Sequence, residues 1–126
     1  MMSGIFLKYP DVNFMFAHYG GVLPFVKERF DSTYAMLLKR GFVKDLTKIP
    51  SAFFSNLYFD MSGSRSQASL LAALELTDHG HICWGSDFPA NKDFSASLGV
   101  ISSTITSSKE RQMICSGNIL QLLKNS

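Results

Sequence analysis

A parallel α/β architecture is the expectation for this sequence, on three grounds. Three apolar, strand-like segments each run on into a segment of helical periodicity, and a glycine- or serine-rich turn marks each strand exit. The third strand, around Ile82-Cys83-Trp84, is continuously apolar rather than alternating, as a strand of a parallel sheet covered on both faces requires. Strand, helix, strand, helix, strand, helix with right-handed crossovers fits two architectures. One is a small doubly wound sheet complete in itself, and the other is the last portion of a (β/α)8 barrel, typically ~250 residues long.

The first strand is expected over residues 13–18, after the turn signal Tyr9-Pro10-Asp11 and before Gly20-Gly21. A helix opens at Leu23 with Pro24 in its first turn, where a missing N–H costs nothing. Leu23, Val26, Phe30, Tyr34 and Leu37 share one face, Asp31 lies off it, and Lys39-Arg40-Gly41 closes the helix with a basic turn and a glycine stop. Residues 42–52 read as irregular. Residues 56–61 form the second strand, ended by Ser62-Gly63-Ser64; Ser64 or Ser66 caps a helix whose apolar face is Leu70, Leu71 and Leu74 and which His79-Gly80 closes. The third strand covers residues 81–87. From Ser102 onward the chain reads as mostly helix, capped at Ser107 or Ser108, with Met113, Gly117 and Leu120 along one stripe.

Composition narrows the function. The 126 residues are 46% hydrophobic and 17% charged, which suits one core and one domain, residues 1–126, with no linker or repeat dividing it. Twelve Lys plus Arg against ten Asp plus Glu leave a net charge of +2, and the basic residues are scattered, so nucleic acid is a poor partner. No apolar run approaches the ~20 residues of a membrane span, and the N-terminus has no basic leader or small-residue cleavage site. The expectation is a cytoplasmic protein without a membrane partner, whose two cysteines, Cys83 and Cys115, stay reduced. Phosphate-binding and serine-hydrolase motifs are absent, and the eleven Phe are spread as core residues rather than as a stacking platform.

In both candidate architectures active sites form at the carboxyl ends of strands. The residues there are His18 in Ala17-His18-Tyr19-Gly20-Gly21, Asp60 in Tyr58-Phe59-Asp60-Met61, and Asp87 in Trp84-Gly85-Ser86-Asp87-Phe88-Pro89. Each taken singly reads equally well as a turn residue. An imidazole and a carboxylate on one rim suit metal ligation or proton transfer.

Gly4 to Phe14 followed by Ala17-His18-Tyr19-Gly20-Gly21-Val22-Leu23-Pro24-Phe25 resembles the sixth-strand region of the amidohydrolase-related family, in its branch of aminocarboxymuconate-semialdehyde decarboxylase and aromatic-acid decarboxylases. Leu57-Tyr58-Phe59-Asp60 is similar to its seventh strand, Trp84 to Pro89 to its eighth, and Ser116-Gly117-Asn118-Ile119-Leu120-Gln121-Leu122-Leu123 to its closing helix. The resemblance implies the C-terminal part, about strands six to eight, of a TIM barrel whose substrate is a small carboxylate. By the same resemblance Asp87 stands where the family ligates a catalytic divalent metal, usually zinc with manganese as the alternative. His18 stands where it handles a proton, and Arg29 where it reaches the substrate carboxylate of a neighbouring subunit in a homodimer. A planar, permanently charged guanidinium suits that task. Asp60 has no firm role by the resemblance, and capping a turn or supporting a neighbouring ligand suits it better than ligation.

The family's His-x-His pair on the first strand and its histidine after the fifth have no counterpart in this sequence. His79-Gly80-His81 is no substitute: His81 opens the strand that Asp87 ends, so six residues at ~3.3 Å each put them ~20 Å apart on opposite rims. A catalytic zinc generally needs about three protein ligands, and only Asp87 is identified. The expectation is therefore part of a metal-dependent decarboxylase or hydrolase; the alternative is a non-catalytic α/β module that keeps the fold and lacks the chemistry.

Overall fold

A computed structural model describes residues 2–124. Within them a three-stranded parallel sheet in the order β1-β2-β3 comprises Met15–Phe16, Tyr58–Asp60 and Ile82–Cys83. Its register pairs Met15 with Tyr58, Phe59 with Ile82, and Asp60 with Cys83. The strands are parallel and consecutive as expected, but only two or three residues of each keep ladder geometry. The flanking residues leave the ladder for turns: His18–Gly20 and His79–His81 form 3-10 turns rather than strand ends.

Helix α1 (Ile5–Lys8) precedes the sheet and α2 (Leu23–Lys39) follows β1. The chain from 42 to 52 is less irregular than its sequence suggests, because α2 organises it. The Tyr34 hydroxyl accepts from the Leu46 amide at 2.7 Å, and the Asp31 carboxylate takes both the amide (2.9 Å) and the hydroxyl (2.5 Å) of Ser51. Asp31 therefore anchors the entrance of a 3-10 helix at Pro50–Asn56 that was not anticipated. After β2 comes α3 (Gln67–Leu74), where Ser66 is the N-cap and accepts from the Ser69 amide at 3.2 Å. Ser66→Ala should cost about 1 kcal/mol of stability in urea unfolding, the usual value of such a cap. Leu70 and Ala73 are buried, whereas Leu71, expected on the apolar face, is half exposed. The helix ends at Leu74, so His79 begins a separate turn capped by Asp78 rather than closing α3.

The C-terminal part holds α4 (Ser95–Thr104), α5 (Ser108–Gln112) and α6 (Asn118–Lys124), with a π-helical turn at Met113–Gly117. Ser107 caps α5, accepting from Glu110. The π turn inserts a residue into the helical count and shifts the stripe. Ile114 and Asn118 face the core, while Leu120 is exposed. That shift lets the Ile114 carbonyl accept from the Trp84 amide at 2.8 Å, and brings the Asn118 amide to the carbonyls of His79 and Ile82, both at 2.7 Å. Those groups lie on the outer edge of β3, since Cys83 and Gly85 accept from the β2 side.

Two clusters form the interior. Met61, Leu70, Ile82, Ile101 and Ile114 fill the space under α3 and α4, and Phe54, Leu57, Phe59 and Leu76 fill that under α2. Both cysteines are free thiols. Burial, with a smaller contribution from the Asp60 charge, pushes Cys83 up to about 11. Cys83 should therefore resist iodoacetamide at pH 8 in the folded protein and react once urea unfolds it, as mass spectrometry of the alkylated peptide would show. No helix among the described residues is long and apolar enough to cross a membrane.

Candidate active site

Backbone strain gathers at one end of the sheet. Among the described residues five non-glycine residues have positive φ, and four of them follow the strands: His18 (53°), Tyr19 (55°), Ser62 (41°) and Asp87 (62°). Such conformations cost free energy and persist where the surroundings impose them, commonly at functional sites. The rim singled out from the sequence is thus also the strained one.

On this rim His18 sits in the turn after β1, with its side chain exposed and lining a cavity of about 310 Å³. Pro24 and Phe25 at the start of α2 form one wall, Ser69 and Ala72 of α3 another, and Ser62 and Ser64 the floor beside β2. Beneath it Tyr19 is 4% exposed, and its hydroxyl lies by Ser64 without closing a hydrogen bond of good geometry. Burial raises the Tyr19 phenol well above its ordinary range, so it stays protonated and neutral at physiological pH. Gly20 makes the tight descent possible. With φ at 74°, a Cβ there would stand 2.9 Å from the Phe59 ring and from the Leu23 side chain.

Asp60 is half buried at the end of β2 and accepts a short hydrogen bond from the Ser62 hydroxyl. The same hydroxyl oxygen accepts from the His18 amide at 3.3 Å. Asp60 thus acts as a turn-capping carboxylate, as expected, and its charge also reaches Tyr19 and Cys83, disfavouring ionisation of both. Asp87 lies four residues beyond β3, exposed, with its carbonyl accepting from the Asn91 amide at 3.0 Å. The loop before it is tied to β2 by the Gly63 amide, which donates to the Gly85 carbonyl at 2.7 Å.

The rim therefore brings the His18 and Asp87 segments to the same strand end but does not place Asp87 in the cavity that His18 lines. Arg29 is exposed on α2 and lines no part of that cavity. Among the described residues no three His, Cys, Asp or Glu side chains converge to hold a metal ion. Asp87 offers a hard oxygen donor, but by themselves these residues do not fit a metal centre.

His79 and His81 lie at the opposite end of the sheet, ahead of β3. His81 is engaged by Asp78 at 2.9 Å and packs on Tyr58 at 4.8 Å between ring centroids, while His79 is 3.6 Å from Glu110. The His81 hydrogen bond holds the Asp78 carboxyl below its usual range. Sequence reasoning missed Ser62, Gly63 and Tyr19. The signal for the first two was the run Ser62-Gly63-Ser64, whose sequence announces a turn but not which groups it holds, and Tyr19 was seen only as a neighbour of His18.

A family model described as amidohydrolase matches residues 1–124. The chain belongs to the amidohydrolase family. Among amidohydrolase relatives, it is 33% identical over 89 residues to 6-methylsalicylic acid decarboxylase of Penicillium expansum, an alignment covering 71% of this chain and 27% of that enzyme. It is 30% identical over 125 residues to gamma-resorcylate decarboxylase of a Polaromonas species, covering 98% and 38%. The crystal structure of dihydroxybenzoic acid decarboxylase from Polaromonas, with bound manganese and the inhibitor 2-nitroresorcinol, matches with a TM-score of 0.73 at 26% identity, over 98% of this chain and 37% of that one. The relatives are decarboxylases, and this chain spans 27% to 38% of the length of the curated ones. Its parallel three-stranded unit matches part of the amidohydrolase barrel.

Proposed function

We propose that these residues form about the sixth to eighth strands of a barrel that decarboxylates a small aromatic or enolic carboxylate, with His18 as its proton-transfer group. The observation that supports this best is the His18 side chain, presented on a strained turn to an open cavity at the carboxyl ends of the strands in a chain whose relatives are decarboxylases. Loss of carbon dioxide leaves an electron pair on carbon, and that carbon must receive a proton. An imidazole, which changes charge near neutrality, can deliver one at the operating pH. The neutral Tyr19 and the hydroxyls of Ser62, Ser64 and Ser69 surround the same space with groups that hydrogen-bond without adding charge. Asp87 is the residue proposed to ligate a divalent ion, zinc or manganese, with donors beyond those described here. Arg29, exposed on α2, is proposed to meet a substrate carboxylate across a homodimer. A cytoplasmic location fits this chemistry.

A second reading, a binding module without turnover, draws on one observation, the absence of three converging donors among the described residues. Elemental analysis after purification without chelator, together with carbon dioxide release from hydroxybenzoic acids with added Mn²⁺ or Zn²⁺, separates the two. In the assembled barrel, metal near one equivalent per site, lost in Asp87→Ala together with carbon dioxide release, is the expected result. An assembled barrel with neither metal nor turnover would establish the module instead.

A further inference from the structure

The carboxyl end of β2 holds both segments that carry candidate groups, through contacts a plain turn does not need. Ser62 has φ at 41°, and its hydroxyl stands between two partners, donating to Asp60 and accepting from the His18 amide at 3.3 Å. An ionised carboxylate only accepts, so Asp60 commits the Ser62 hydrogen and leaves the oxygen lone pair facing the His18 amide. The next residue, Gly63, has φ at 68°, and its amide donates to the Gly85 carbonyl at 2.7 Å. A Cβ on Gly63 would stand 2.9 Å from the Ser86 carbonyl oxygen and 2.8 Å from the Asn91 side-chain nitrogen. Only glycine permits that approach to the segment leading into Asp87. One dipeptide thus grips two neighbouring loops, the first through a side-chain hydroxyl and the second through a main-chain amide.

From this geometry we propose that Ser62, oriented by Asp60, is a positioning residue for His18. The pair fixes the left-handed turn from which the imidazole faces the cavity, while Gly63 holds the Asp87 segment against the same strand end. The separation of the two candidate groups is then set by β2, not by any contact between them. The proposal deepens the reading of His18 and Asp87 given above and rests on it for its functional meaning, but its test needs no turnover.

The test is amide hydrogen exchange and imidazole NMR on the full chain. Ser62→Gly removes the hydroxyl and accepts the positive φ, and Asp60→Asn leaves the backbone at 62 unaltered. Loss of the His18 hydrogen bond should raise the exchange rate of its amide roughly tenfold in Ser62→Gly, while the Phe59 and Cys83 amides of the sheet keep theirs. The Hε1 resonance of His18 should move, and those of His79 and His81, at the other end of the sheet, should stay. Asp60→Asn should produce the same pattern to a smaller extent. Unchanged His18 exchange and ring signals in both variants would overturn the proposal, as would equal movement of all three histidines, which signals general loosening instead of positioning. Should His18→Asn retain full turnover while Ser62→Gly shifts His18 alone, the catalytic reading falls and the positioning role stands.

Discussion

Replacing His18 by asparagine is expected to slow carbon dioxide release by about 10²- to 10⁴-fold, the usual contribution of a positioned proton-transfer group, with KM changed far less. Asparagine is the informative substitute because the residue sits at φ 53°. Asn tolerates the left-handed region at least as well as His, so the turn survives while the imidazole is removed. The side chain is exposed and Asn fits the positive φ, so neither packing nor backbone conformation is disturbed and the urea midpoint should hold. A variant that keeps more than a tenth of the parent kcat would remove His18 from the reaction.

Phe59→Ala is expected to be the most damaging single change to the fold. Phe59 is fully buried in the central strand, and deleting a buried Phe side chain typically costs about 3–5 kcal/mol, a large share of the ~5–15 kcal/mol that holds a domain together. Its ring packs on Phe16 at 6.1 Å and lies under Gly20, where even an added Cβ would come within 2.9 Å. The ring therefore supports the turn that carries His18 as well as filling the core. Urea unfolding should show the loss of stability, and Phe59→Leu should restore most of it. A loss under 1 kcal/mol for Phe59→Ala would mean the strand is not the centre of the core.

The strand and helix order was legible because it depends on local signals: apolar runs, Pro24 at a helix start, and serine caps at Ser66 and Ser107 that the structure uses as such. The lengths of the strands were not legible. At β1 and β2 the ladder ends two residues before a left-handed residue, and at β3 four residues before one; His18, Ser62 and Asp87 adopt that region without being glycine, so their sequence gives no warning. The same reason hid Ser62, whose role comes from Asp60 and from an amide 44 positions away. The stripe on the last helix was misplaced because a π turn, not encoded in a 3.6-residue period, shifts the phase at Met113. Asp31 was placed off the apolar face by periodicity, which could not show its pairing with Ser51, twenty positions on.

The outer edge of β3 has a consequence for growth of the sheet. With the Ile82 carbonyl held by Asn118 and the Trp84 amide held by Ile114, that side has its outward groups already satisfied. The outward face of β1 at Met15 has no such cover among the described residues. The sheet is thus polar in the manner of a filament with one capped and one open end: a strand recruited from elsewhere adds at Met15 without displacing these bonds, whereas a strand added beside Ile82, as closure of a barrel requires, must replace the bonds to Asn118 and Ile114.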